Sequence, residues 1–313
     1  MPEEDRVRQS CAYLRMLLFR PGDYRSRWER HARDIDGPRI DPQAVATVLQ
    51  ERKLRRSSGM EESRVLTRPA EELVRVARHA LDGSMLSPAD LEDFIAAFGL
   101  TVRHAHRLRE LRRGSPSVLA IYRDLRPIGD GYRHAGPPHH DTLSFHELHT
   151  IGPDGRPAEH ETIQVIRSTV PWLESVPYRF DTDELVVHMV RGGQVGPRVY
   201  QVNETVYGVD ILLAQPLALG ETALLQHHTT FAYQTHPPPE LRRAVLRATE
   251  ELTMWVRFHP QRVPARVWSA RWDRIDQARV IERSPVELDS ELSVHARFGR
   301  VEQAVVGLYW EWD

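Results

Sequence analysis

Apolar residues recur at helical spacing through the first third of the chain, and alternate with polar ones through most of the rest. Residues 6–19 place Val7, Cys11, Leu14 and Leu18 on one face, and Pro21-Gly22-Asp23 breaks that helix before a second one over 24–35. Asp41-Pro42 reads as a cap with proline in the first turn, ahead of the stripe Ala44, Val45, Val48 and Leu49. The stretch 55–64 lacks apolar periodicity and reads as a loop. A helix over 69–81 follows, with Leu73, Val76, Ala77 and Ala80 inward and Asp82-Gly83 as its stop. The strongest local signal is a pair. Ser87-Pro88-Ala89-Asp90 is a capping box ahead of Leu91, Phe94, Ile95 and Phe98, and Gly99 stands where a left-handed C-cap belongs. Thr101 then caps a second helix over 102–113, closed by Gly114, so the pair is a helix–turn–helix.

From residue 142 onward the period becomes two. Strands are expected at 142–150, 161–170, 184–190, 198–202, 206–213, 222–233, 251–259, 266–272, 279–288, 292–298 and 304–312, punctuated by turns such as Gly152-Pro153-Asp154-Gly155 and Gly192-Gly193. Leu252, Met254, Val256 and Phe258 alternate with Thr253, Trp255 and Arg257, as a half-buried strand does. Pro237-Pro238-Pro239 followed by 240–248 reads as a short helix between strands. The predicted class is therefore α+β: an all-α N-terminal helical domain (1–126), a Pro/Gly linker (127–141), and an all-β, sandwich-like (Ig-like) domain (142–313).

Composition changes this picture little. The 313 residues are 41% hydrophobic and 27% charged, ordinary for globular domains, and the net charge of −2 gives the whole molecule no strong pull toward nucleic acid or anionic membrane. Lys53 is the only lysine, and such an arginine bias is what a GC-rich genome produces. Cys11 is the only cysteine, so neither an internal disulfide nor a CxxC zinc site is possible. The acidic start Met1-Pro2-Glu3-Glu4-Asp5 and the lack of a long apolar run lead to the expectation of a cytoplasmic protein, away from membranes.

Three constellations could carry chemistry. His139, His140, Asp141, His146 and His149 fall within eleven positions and offer metal-ligand types, although on a strand His146 and His149 point to opposite faces. Adjacent His227 and His228 likewise split between two faces of one strand. Arg103, Arg107, Arg109, Arg112 and Arg113 crowd the second helix of the capped pair and could meet phosphates. Glu110 interrupts them, and Leu108 and Leu111 make an ordinary core stripe. Trp255, Trp268, Trp272 and Trp310 could line a ligand pocket, or form core and cross-strand pairs. No GxSxG, GxGxxG or GxxxxGK[ST] motif is present.

The stretches Tyr24-Arg25-Ser26-Arg27-Trp28-Glu29, Gly37-Pro38-Arg39-Ile40-Asp41-Pro42 and Ala97-Phe98-Gly99-Leu100-Thr101 resemble uncharacterised proteins of high-GC bacteria. Those proteins join a Cro/repressor-type (XRE-like) helical N-terminal region to a C-terminal β-rich domain. Pro177-Tyr178-Arg179-Phe180, Val190-Arg191-Gly192-Gly193 and 216–222 are similar to that β domain. Too few residues precede Tyr24 for a full repressor-type domain, so the resemblance implies a regulatory context with truncated DNA-reading helices.

Together these features lead to the expectation of a non-enzymatic regulatory or adaptor protein, without cofactor, that engages a protein partner through both domains. The alternatives are a helix–turn–helix regulator contacting DNA through residues 102–113, and a metal-dependent enzyme using the histidines of 139–149.

Overall fold

The computed structural model describes residues 1–32, 39–57, 69–122, 139–182, 184–204, 206–233, 235–274 and 279–313. The chain is α+β and divides into two compact units, Met1–Tyr122 and Arg123–Asp313. The expected helix over 24–35 ends within the described residues at Glu29; its last positions, most of the loop at 55–64 and most of the 127–141 linker lie outside them.

The first unit holds α1 (Glu3–Phe19), α2 (Asp23–Glu29), α3 (Pro42–Ser57), α4 (Ala70–Asp82), α5 (Pro88–Phe98), α6 (Val102–Arg113) and a short strand, β1 (Val118–Ile121). The capped pair forms as its sequence dictates. Ser87 accepts from the Asp90 amide, Thr101 from the His104 amide, and Gly99 and Gly114 take left-handed φ of 54° and 77°. Three of the residues quoted for the resemblance make packing contacts: the Trp28 indole donates to Leu18 O at 2.9 Å, and the Tyr24 hydroxyl accepts from the Thr101 amide at 2.9 Å. Cys11 is buried on α1, and burial pushes its thiol up to about 12, so it is a packing residue. None of the described helices is long and apolar enough to cross a membrane.

The second unit holds β2 (His140–Ile151), β3 (Pro157–Ser168), β4 (Leu173–Phe180), β5 (Leu185–Arg191), β6 (Gly193–Gln201), β7 (Tyr207–Leu217), β8 (Thr222–Phe231), β9 (Glu240–Val245), β10 (Thr249–Arg257), β11 (Arg266–Trp272), β12 (Val280–Val286), β13 (Ser293–Phe298) and β14 (Ala304–Glu311). The main sheet runs β5-β8-β3-β2-β10-β13, and two smaller sheets run β12-β11-β14-β9 and β4-β7-β6. An Ig-like domain has two antiparallel sheets. The described residues form three, and β10 pairs with β2 in parallel.

The predicted helix after Pro239 is in fact strand β9, and β4 is a strand the apolar pattern does not announce. Leu241, Arg243 and Val245 alternate along β9, and the two apolar ones join the core, so pairing with β14 overrides the helical bias of Leu, Arg and Ala. β9 comes close because β14 has Gly307 opposite Arg242: a Cβ there would lie 1.9 Å from Leu241 O. The core of this half is apolar, with Phe145, Leu252, Met254, Val256, Val294 and Ala296 of the main sheet facing Leu241, Val245, Val267, Val306, Leu308 and Trp310.

Candidate metal centre

Strand registers build the site. Side chains of one face recur every second residue, and directly paired residues stand side by side. On the face that carries Phe145, successive rows across the main sheet read Leu252–Phe145–Gln164–Leu225, then Met254–Glu147–Thr162–His227–Met189, then Val256–His149–His160–Thr229–Val187. The outer members of the second and third rows are apolar, and the middle members on β2, β3 and β8 are not. A carboxylate and three imidazoles therefore meet in the middle of a buried face.

Glu147 and His160 are each 6% exposed and His227 is 2% exposed. His160 Nε2 lies 2.7 Å from Glu147 Oε1, and His149 Nε2 lies 3.6 Å from the same oxygen, too far for a hydrogen bond. One donor atom from each of Glu147, His149 and His160 falls within 4.8 Å of the other two. The two imidazoles lie against each other with ring centroids 4.1 Å apart, and Phe231 stacks on both. Thr162 Oγ1 is 3.0 Å from His160 Nε2.

The smaller sheets close over this patch. From β9, the Arg243 guanidinium sits 3.5 Å from the Phe145 ring centroid, and its Nη1 donates to both Glu147 oxygens at 3.4 Å. From β4, the Tyr178 ring meets His227 edge-on at 4.7 Å while its hydroxyl bonds Thr229 Oγ1 at 2.9 Å. Neither ring nitrogen of His227 has a hydrogen-bond partner among the described residues.

Burial alone would raise the Glu147 carboxyl, but the Arg243 charge and the two histidines hold it well below the usual carboxylate range, so it is an anion. Burial lowers His160 to about 4 and His227 to about 3, so both are neutral near pH 7. An ionised carboxylate only accepts, so His160 Nε2 carries the proton of that 2.7 Å contact.

The expected metal set from 139–149 is only partly assembled. His149 belongs to the centre; Glu147, His160, His227, Arg243 and Tyr178 are not in the expected set. His146 faces the other way, as the odd spacing requires. His139, His140 and Asp141 lie at the far end of the hairpin, where His140 pairs with Ser168, about 30 Å from His149 at strand rise. The Asp141 carboxylate is taken by Arg247 at 2.7 Å, and burial together with the Arg247 charge lowers the His140 imidazole to about 4.

The arginines of α6 are not a row of free charges. Arg107 is fully buried, Arg109 makes a two-pronged contact with Glu92 at 2.7 and 2.6 Å, and Arg112 is tied to Leu86 O and Glu3; Arg103 and Arg113 are exposed. Nor do the tryptophans converge. Trp310 packs in the core against Phe258, Trp268 and Trp272 lie on the opposite face of β11 around Tyr309, and Trp255 stacks with Arg257.

No family model matches the chain, and no curated protein matches it. Among solved structures, it is similar to a provisionally assigned protease from Parabacteroides distasonis (9% identity, TM-score 0.35, covering 54% of this chain and 40% of that one). It is also similar to an M1 zinc metallopeptidase from Deinococcus radiodurans (15% identity, TM-score 0.30, 55% and 42%). A two-domain M1 zinc metallopeptidase with bound L-arginine gives 14% identity and a TM-score of 0.29, over 55% and 42%. The chain thus spans less than half the length of these proteins.

Two expectations are corrected at this point. The first is a non-enzymatic regulator, adaptor or DNA-binding protein: the buried polar residues of this chain gather as a candidate metal centre on the β sheet, and Arg107, Arg109 and Arg112 of α6 are buried or engaged within their own unit. The second is the absence of a cofactor: β2 and β3 gather a buried carboxylate and two imidazoles at ligand spacing.

Proposed function

We propose that Glu147, His149 and His160 hold a divalent transition-metal ion, and that the chain is a metal-dependent enzyme working at that centre. The observation that carries this reading is the convergence of their donor atoms within 4.8 Å on a buried face. One carboxylate with two imidazoles is a donor set that suits zinc or ferrous iron. The residues fit such an ion: Glu147 is already an anion, both imidazoles are in reach of its oxygen, and His149 Nε2 has no hydrogen bond among the described residues. When bound, such an ion polarises substrate oxygens and brings the pKa of its water to about 7.

The chain's own side chains do the rest. Phe231, stacked on both histidines, keeps water from one side and fixes the ring planes. Thr162 lies beside the His160 ring, with its Oγ1 3.0 Å from Nε2, and Tyr178 and Thr229 fix the neighbouring His227 side. The scaffold reading that goes with this is a sandwich-type β domain, its smaller sheets laid over one face of the main one and its apolar core interrupted by the site.

The test is elemental analysis of the purified protein, followed by titration of the metal-free form with Zn2+. The expected result is one ion per chain, lost in Glu147→Gln and His160→Ala while the circular dichroism spectrum is retained. Wild-type protein that is folded and takes up no ion sinks the reading.

A further inference from the structure

The charges at the centre do not balance once an ion is present. Glu147 contributes −1 and Arg243 +1, and histidine ligands bind as neutral imidazoles, so the group is neutral without metal. From β3 and β8 the inward residues are Gln164, Thr162, His160, His227 and Thr229, and from β4 Tyr178, none of them charged at neutral pH as ligand or hydroxyl. A dication therefore leaves a net +2 in a site whose carboxylate and imidazoles are 5–13% exposed. An uncompensated charge of that size is costly in a buried site, and an anion removes the cost.

The second observation concerns donors. Arg243 is the most exposed member, with 37% of its side chain accessible against 5% for Glu147. Only its Nη1 is engaged by Glu147; Nε and Nη2 make no hydrogen bond among the described residues. Those two nitrogens form the edge of a guanidinium that clasps a carboxylate or phosphate side-on. His227, on the next strand, adds a neutral imidazole with both nitrogens unpartnered, 4.7 Å from the Tyr178 ring.

We propose that the loaded centre takes an oxyanion, the carboxylate or phosphate group of a small molecule, between the ion and Arg243. This rests on the metal reading above and names the substrate class for it. The Glu147 contact is the metal-free position of Arg243; with an ion on that carboxylate, the guanidinium is repelled from it and freed for the incoming anion.

The experiment uses full-length protein loaded with Co2+ and follows its visible absorption during titration with inorganic phosphate and, separately, acetate. Wild type is expected to bind at least one of them with a shift of the cobalt bands, and the stronger arm tells phosphate from carboxylate. Arg243→Gln should bind Co2+ as tightly or more tightly, because a competing cation is gone. It should bind the anion on the order of tenfold or more weakly, the worth of a charge-assisted hydrogen bond. Arg243→Lys should recover part of that loss. Equal anion affinity in wild type and Arg243→Gln, no anion binding by loaded wild type, or weaker Co2+ uptake by Arg243→Gln overturns the proposal while leaving the metal reading intact. Folded wild type that takes up no Co2+ removes both.

Discussion

The two halves of one sheet face behave as different materials. On β10 and β13 the face reads Leu252, Met254, Val256, Val294 and Ala296, all buried and all apolar, against a matching layer from β9, β11 and β14. On β2, β3 and β8, the next three strands of the sheet, the same rows read Glu147, His149, His160, Thr162, His227 and Thr229. Backbone pairing and burial are alike in both halves; the chemistry is not. The apolar half pays for folding. Nothing in folding asks for the polar half, because burying a carboxylate and three imidazoles costs desolvation that apolar residues of the same volume would avoid. A burden of this kind, kept in the middle of a core, is what marks the region as the site.

The largest expected effect separating the halves is a response to acid. His160 and His227 titrate near 4 and 3 in the fold and near 6.5 when unfolded. The unfolded chain thus binds protons first, and stability present above pH 6.5 is lost as pH falls toward 4. The depressed Glu147 acts in the same direction, since its contribution exists only while it is ionised. Urea unfolding of the metal-free protein at pH 7 and pH 4.5 should show a loss on the order of 3 kcal/mol or more. A flat profile across that window would mean the imidazoles are hydrated and the patch is not a buried site.

Next comes Leu252→Ala, in the apolar half and fully buried. It should cost about 2–5 kcal/mol, as core truncations do, with metal uptake per folded molecule unchanged. Glu147→Gln should abolish uptake while the protein stays folded at pH 7, and should lose part of the acid response because the ionised carboxylate is gone. If Leu252→Ala also abolishes uptake in folded protein, the halves are not separable.

The same contrast explains what could be read from the sequence. The apolar half is legible because alternation such as Leu252-Thr253-Met254-Trp255-Val256 is the signal itself. The capped helices are legible because Ser87, Gly99, Thr101 and Gly114 each meet a local backbone need. Of the centre, two members stand out: His149, within a histidine cluster whose other members lie far along the strand or on its other face, and His227, as half of the pair His227-His228. The true partners of His149 come from pairing. The turn at Gly152–Gly155 folds β3 back so that His160 faces His149, and Glu147 is two positions from His149 on an alternating strand between Phe145 and Ile151. A two-residue spacing of Glu and His inside a buried alternation was therefore the usable signal. The strands that cover the site were the least legible. β4 carries Pro177 in its middle, and β9 is written in Leu, Arg and Ala, so Tyr178 and Arg243 enter through tertiary pairing that no local pattern encodes. The tryptophans mislead for the opposite reason: aromatic residues on adjacent strands suit a core and a pocket equally well.

The smallest effect is also the most diagnostic. His227→Phe replaces a fully buried imidazole, whose two nitrogens have no partner among the described residues, with a ring of similar size beside Tyr178. If the polar half exists for folding, losing a polar side chain should destabilise the unit. If it exists for a ligand, the substitution relieves an unpaid desolvation and should stabilise the metal-free protein by about 1–3 kcal/mol, the cost of an unsatisfied buried polar group. It should also remove part of the acid sensitivity, since one of the two protonating imidazoles is gone. Thermal and urea unfolding at pH 7 and pH 4.5 read both outcomes in one pair of proteins. A gain in stability with weakened anion binding would place His227 with function rather than fold, whereas a loss in stability at both pH values would move the boundary between the halves to the Glu147–His160 pair alone.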